Sequence, residues 1–259
     1  MNSALVANHI VNWLRDYAIN AGVNGFVLGV SGGIDSAITS ALCARTGLDL
    51  ICLELPIHQN PAQVSRARNH IEFLEKLYPN VSSVTVELTD AYDTLAKTLP
   101  THSDEAVLSL ALANTRARLR MTTLYYYAGI HNLLVAGTGN KVEDFGVGFF
   151  TKYGNGGVDL SPIADLTKTE VYALGAYLEI IPEILTAAPT DGLFGDDRTD
   201  EDQIGASYPE LEWAMDFTGD ESTLTSRQKE VLAIYRKRNK QNKHKMVAIP
   251  VCIIPKELK

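Results

Sequence analysis

Hydrophobic and polar positions along the chain switch between two periods, and the switches lay out the elements. Leu5, Val6, Ile10, Leu14 and Tyr17 recur at helical spacing and predict an amphipathic lead helix over residues 3–21 that packs by that face. Phe26 to Val30 is short, apolar and β-prone, and it breaks at a polar, glycine-rich turn, Ser31 to Asp35. An alanine-rich crossover helix, Ala37 to Arg45, follows. Leu48 to Leu55 is mostly apolar, as expected of a strand in a parallel sheet covered on both faces, and it ends at Pro56. Asn60 to Leu77 reads as a second helix, and Val81 to Leu88 alternates like a strand near a sheet edge.

A long helical pattern runs from Ser103 to Tyr127, and Leu133 to Ala136 is the next strand. Thr167 and Glu170 form a capping box that starts a helix reaching about Leu178. Gly192 to Tyr208 is acidic and without periodicity, so a mobile loop that closes over substrate is expected there. Ser207 to Met215 and Thr225 to Asn239 read as two final helices, the second with Thr225 and Gln228 as its capping box. The alternation of strands and helices predicts an α/β doubly wound parallel sheet flanked by helices, in a single domain over 1–259. Such sheets bind ligands at the carboxyl ends of their strands, where strand order reverses. That places the Ser31 turn at the site and the backbone around Leu53 to Ile57, Leu55 included, against the flat ring of a nucleotide.

Composition leaves this picture standing. The chain has 259 residues, 46% hydrophobic and 21% charged, which is ample for a full core. A formal charge of −8 argues against nucleic acid as a partner, although Arg236, Lys237, Arg238, Lys240, Lys243 and Lys245 gather near the C-terminus. Cys43, Cys52 and Cys252 lack CxxC spacing and lie in apolar stretches, so buried free thiols are expected. No signal peptide and no apolar run of membrane length is read, so a cytoplasmic chain without a membrane partner is expected.

Candidate chemistry collects at the strand ends. In SGGIDS, Gly32 and Gly33 remove the Cβ atoms that would hold a ligand off the backbone, next to the unpaired first N–H groups of a helix, a natural phosphate site. The lysine and Ser/Thr of GxxxxGK[ST] are missing, so this is not a Walker A loop. After the strand at Leu133, Thr138, Glu143 and Asp144 open a second polar site; the acids suit either a magnesium ion or the first turn of a helix. Arg116, Arg118 and Arg120 suit either phosphate or a solvated helix face. Gly148 to Asp159, GFFTKYGNGGVD, combines aromatic rings, a lysine and glycines; Asn155-Gly156 alone signals a turn of the hairpin kind. Lys168 stands in the first turn of its helix, where the dipole disfavours a cation, which points to a ligand or to simple solvation.

SGGIDS resembles the pyrophosphate loop of the N-type ATP pyrophosphatases. NTRARLRM at 114–121, GTGNKVE at 137–143, the aromatic loop, Lys168, Pro189-Thr190 and His244-Lys245 resemble, in order, motifs of ammonia-dependent NAD synthetases. The resemblance implies an adenine nucleotide alpha-hydrolase-like fold and the ATP-dependent amidation of deamido-NAD, through an adenylate, with release of AMP and pyrophosphate. It implies a catalytic Asp35 and Lys168, and ATP binding by Gly29, Ser31, Gly32, Gly33, Ser36, Leu55, Thr138, Lys168 and Thr190. Magnesium falls to Asp35, Glu143 and Thr190. Deamido-NAD falls to Arg118, Arg120, Phe149, Lys152, Tyr153, Asn155, Asp159, His244 and Lys245. The partners implied are small molecules, ATP, deamido-NAD and free ammonia, and a second copy of the chain as a homodimer. One departure stands out, since the family commonly has Asp where this chain has Asn155. The alternatives are another N-type ATP pyrophosphatase, of the tRNA-thiolating or GMP-synthetase kind, or a non-catalytic adenine-nucleotide binder.

Overall fold

The computed structural model describes residues 1–190 and 199–259. Its sheet has four parallel strands: β1 (Gly25–Gly29), β2 (Asp49–Glu54), β3 (Val81–Thr85) and β4 (Leu133–Val135), in the order β3-β2-β1-β4. The chain fills one side of β1 with β2 and β3, then crosses to its other side with β4. The reversal lies between β1 and β4, and the loops leaving both strands open there, as a doubly wound sheet requires. β3 is an edge strand, as expected, but it stops at Thr85 and not at Leu88.

Two apolar layers cover the sheet. Phe26, Leu28, Leu50 and Cys52 face α1 (Ser3–Ala21), α2 (Ile34–Ala44) and α3 (Pro61–Leu77). Val27, Ile51, Leu53 and Val135 face the other layer, made of α4 (Thr89–Thr98) and α5 (Glu105–His131). The near-continuous apolar runs of β1 and β2 are thereby accounted for, because both faces are buried. The sequence reading assigns no element to 89–98, where the helix buries only Tyr92. The inward face of α1 is Ala7, Ile10, Val11, Leu14 and Ala18, whereas Leu5 and Tyr17 are exposed. Ile10 and Leu14 of the expected stripe are thus buried and Val6 packs beside them, with Ala7, Val11 and Ala18 completing the face.

Beyond β4 the chain makes a π-helical turn, Lys141–Val147, capped by Asn140, whose side chain accepts from Val142 and Glu143 N–H. Such turns recur at functional sites. Next come α6 (Lys168–Tyr177), opened by the Thr167–Glu170 capping box, and α7 (Pro182–Leu185). A third apolar cluster joins the π-helical turn to α8 (Asp200–Ile204), α9 (Tyr208–Asp216) and α10 (Ser226–Met246). The expected mobile loop over 192–208 is therefore corrected in part. Thr199 caps α8 and Ser207 caps α9, while the remainder of that stretch lies outside the described residues. Cys43 and Cys52 are buried free thiols as expected, but Cys252 is exposed. Among the described residues no helix is long and apolar enough to cross a membrane.

Candidate active site

The cleft at the carboxyl ends of β1 and β4 is built from sequence-distant pieces. The turn after β1 is its floor. Gly32 has φ +81°, a conformation that L side chains rarely adopt, and a Cβ there would lie 2.6 Å from the carbonyl oxygen of Gln63 in α3. Glycine at this position thus serves the turn and its packing on α3. Around it, Ser36 Oγ donates to Gly33 O at 3.0 Å and accepts from Ser31 N–H at 3.2 Å, and Ser31 Oγ accepts from Gly33 N–H at 3.3 Å. Gly33 caps α2 with no side-chain bond, so the first-turn N–H groups of α2 remain for an anion.

Lys168 resolves its unfavourable position at the start of α6. It is 3% exposed, and its Nζ donates to Asp35 Oδ2 at 2.6 Å and to Glu143 Oε1 at 3.0 Å. Asp35 comes from α2 and Glu143 from the π-helical turn, so one cation ties together three segments. Burial alone would strip Lys168 of its charge, but the Asp35 and Glu143 carboxylates override it and hold the ammonium well above the ordinary lysine range. Burial raises Asp35 despite the opposing Lys168. At Glu143 burial works the same way, but Lys168 and the hydroxyl of Tyr208 win, and the carboxyl falls below its ordinary value.

Three residues missed by the sequence reading complete this network. Asn140 Nδ2 donates to Asp35 Oδ1 at 3.1 Å. Tyr208 Oη lies 2.6 Å from Glu143 Oε1 and 3.1 Å from Asp200 Oδ2, and its ring sits under Lys168 Nζ, 4.8 Å from the centroid. Asn140 was readable as a helix cap after the strand. Tyr208 and Asp200 carry no local signal, because their partner Glu143 is 65 residues away from Tyr208 in sequence. Next to the network, Asp144 is pushed up to about 7 by burial and by the charges of Glu143 and Asp35, against Lys245.

Of the residues singled out from sequence, Gly29, Ser31, Gly32, Gly33, Asp35, Ser36, Leu55, Arg120, Thr138, Glu143, Phe149, Asn155, Lys168 and Thr190 line this one cleft. Arg120 Nε donates to Leu55 O at 2.9 Å and its Nη2 to Gln59 Oε1 at 2.7 Å, so it clamps the end of β2. Asn155 Oδ1 accepts from Thr151 N–H at 2.8 Å, a contact that Asp would make equally well.

The others stand outside. Arg118, Lys152, Tyr153, His244 and Lys245 surround the aromatic loop: Arg118 Nε donates to Lys152 O at 3.3 Å, Lys152 Nζ to His244 O at 2.7 Å and Lys245 Nζ to Phe150 O at 2.7 Å. Tyr153 is exposed. Asp159 braces the sheet instead, accepting from Val135 N–H at 2.8 Å and from the Tyr125 hydroxyl at 3.0 Å. The loop is a set of turns and not a hairpin; it leads to Leu160, which bridges in parallel to Ala136. Its Gly154 faces α5, where a Cβ would lie 2.9 Å from that of Ala117.

An anion cradle, a buried ammonium and facing carboxylates at a strand-order reversal suit nucleotide chemistry, and comparison with known proteins narrows it. The model of the NAD synthase family matches residues 6–248. The chain belongs to that family. The NH(3)-dependent NAD(+) synthetase of Carboxydothermus hydrogenoformans is 37% identical over 91% of this chain and 92% of its own. Among solved structures, that of NMN synthetase from Francisella tularensis superposes with a TM-score of 0.84 at 32% identity, covering 99% of each chain. NH3-dependent NAD synthetase from Campylobacter jejuni superposes at 0.78 with 27% identity, covering 98% of this chain and 100% of that one.

Proposed function

We propose that this chain is an ammonia-dependent ligase that amidates deamido-NAD to NAD at the cost of ATP. The observation that carries the reading is the meeting of Asp35, Glu143 and Lys168 beside the Ser31–Ser36 cradle, within one cleft that Phe149 and Asn155 also line. The nicotinate carboxylate attacks the α phosphorus of ATP, the bond to the β phosphate oxygen breaks, and pyrophosphate leaves. Ammonia then attacks the acyl carbon and AMP leaves with the bonding pair, while the nitrogen loses one proton and keeps two in the amide. The cradle and the first turn of α2 bind the pyrophosphate end of ATP, and Lys168 offsets charge as it moves toward the leaving group. Asp35 and Glu143, buried within one network, keep that lysine ionised and aimed.

Magnesium fits this donor set. Two carboxylates share a single ammonium, so the site keeps an excess of negative, hard oxygen, and Mg2+ is usually held by one or two carboxylates with substrate phosphate and water completing its shell. Asp35, Glu143 and Thr190 would hold it, and when bound it would neutralise phosphate charge. Large apolar side chains exposed along α5, Val107, Leu110, Tyr126 and Ile130, support a homodimer through that helix. A second copy would bring further groups to the Arg118, Lys152, Tyr153, His244 and Lys245 cluster, which is assigned here to the far half of deamido-NAD. The chain is assigned to the cytoplasm.

A second reading, amidation of nicotinic acid mononucleotide, is supported by the name of the Francisella structure. Competition decides between them: purified protein is given ATP, magnesium, ammonium and both acids at equal concentration. Faster formation of NAD is expected. Preferential formation of the mononucleotide amide moves the assignment to the shorter substrate, and formation of neither amide refutes both.

A further inference from the structure

Past the end of α10 the chain runs away from its own core. Residues 247–255, VAIPVCIIP, form an unbroken apolar run, and every one of them is exposed, Val251 at 74% and Ile253 at 80%. Among the described residues 247–254 makes no hydrogen bond. Scattered exposed apolar side chains are ordinary, whereas a contiguous run of them marks a surface that meets a partner. Charge identifies that partner. Residues 231–256 hold seven of the 23 Lys and Arg and none of the 31 Asp and Glu, so the rest of the chain has 16 basic residues against 31 acidic ones. Such a body repels nucleic acid and anionic lipid, but it attracts this basic segment when a second copy presents it.

The connection from α4 to α5 offers both halves of the match. Leu95, Leu99, Val107 and Leu110 are exposed there, and over 89–115 Asp90, Asp93, Asp104 and Glu105 outnumber Lys97, the one Lys or Arg of that stretch. Within one copy neither the run nor this apolar patch is covered. The segment also starts close enough. Arg118 of α5 donates to Lys152 O and Lys152 Nζ to His244 O, so the end of α10 lies by the middle of α5. Val107 is about 17 Å from Arg118 along that helix, and eight extended residues span about 26 Å. We propose that residues 247–255 are an arm that docks on the α4–α5 connection of a second copy, an assignment that rests on the homodimer proposed above. The second copy returns its arm in the same way, so the exchange closes on a two-fold pair.

Cross-linking of the full-length protein tests the arm, because it carries the exposed Cys252 and the receiving stretch holds no cysteine. In an extended arm Val251 and Ile253 share one face and Cys252 takes the other, so the thiol stays reachable. With a short bismaleimide, Leu99→Cys and Val107→Cys are each expected to give a linked pair of twice the chain mass, in excess over wild type, and to lose that excess when Cys252→Ser is added. A link formed inside one chain overturns the proposal, and so does a yield no higher than wild type from both variants. Sedimentation equilibrium supplies the second measurement. Deleting 247–259 is expected to leave the far-UV circular dichroism unchanged and to raise the dimer dissociation constant at least about tenfold, since apolar side chains lose their cover; Ile253→Asp moves it in the same direction. A dissociation constant within about threefold of wild type in both overturns the proposal. Binding to phosphatidylserine vesicles that the deletion abolishes, with the dimer left intact, assigns the arm to a membrane and overturns it too. Turnover separates this inference from the broader reading: a protein that makes NAD while neither variant cross-links sinks the arm alone, and one that cross-links through Cys252 without amidating either acid sinks the other.

Discussion

Replacing Lys168 by methionine tests the network at its centre. The substitution keeps the stem that fills the space under α6 and deletes the ammonium that donates to Asp35 at 2.6 Å and to Glu143 at 3.0 Å. Both carboxylates are mostly buried, with side chains 17% and 16% exposed, so neither is rehydrated by a small movement. Removing one partner of a buried ion pair costs about 3–5 kcal/mol, because the remaining charges stay uncompensated. For a chain of this size each kcal/mol lowers Tm by about 2–4 °C, so Lys168→Met is expected to melt about 6–20 °C below wild type at pH 7. The sign of the pH dependence is fixed as well. Without the lysine, both carboxylates take pKa values above their unfolded ones, so the variant gains stability as pH falls through those values, and its deficit shrinks toward pH 5. Calorimetric melting of both proteins from pH 5 to 8 measures this. A variant that melts within 2 °C of wild type at pH 7, or whose deficit grows on acidification, refutes the reasoning.

Other outcomes are as definite. Tyr208→Phe removes the hydroxyl between Glu143 and Asp200 and is expected to cost about 1.5–3 kcal/mol in urea unfolding; an unchanged midpoint would mean that the bond does not form in solution. Asp144 has a folded pKa of about 7, far above its unfolded value, so it stabilises fully below about pH 4 and that contribution is lost as pH rises through 7. Wild type is therefore expected to lose more stability than Asp144→Asn between pH 5 and 8, and parallel pH profiles would contradict the assignment. Cys252 is exposed whereas Cys43 and Cys52 are buried, so a thiol reagent is expected to label one cysteine quickly in the native protein and all three in denaturant. Burial also pushes the Cys52 thiol up to about 12, with Glu75 adding to it, so raising the pH to 9 is not expected to expose it to reaction.

What the sequence made legible was local. Capping boxes at Thr167 and Thr225 and the apolar runs of β1 and β2 each express a short-range rule, and all appear in the fold. Lys168 was legible as an anomaly, a cation at the wrong end of a helix dipole, and the structure supplies the carboxylates that make it right. What stayed hidden depends on contacts between distant segments. The face that α1 presents keeps Ile10 and Leu14 of the predicted stripe but leaves Leu5 and Tyr17 exposed and takes in Ala7, Val11 and Ala18. Gly32 and Gly154 answer to α3 and α5, neighbours no local window contains. Tyr208 joins the site through Glu143 of the π-helical turn, Asp200 through Tyr208, and Asn140 through Asp35 of α2. Asn155 looked like the weakest link to the family, yet its amide oxygen makes a bond that needs no charge.

The central claim is that one cleft couples cleavage of ATP between its α and β phosphates to amide formation. The most direct measurement is stoichiometry: purified protein with ATP, magnesium, ammonium and deamido-NAD, followed by chromatography for NAD, AMP and pyrophosphate. The account predicts equal amounts of the three products, with none formed when deamido-NAD is left out. Formation of ADP and phosphate in their place, or cleavage of ATP that proceeds without the acid, would contradict it.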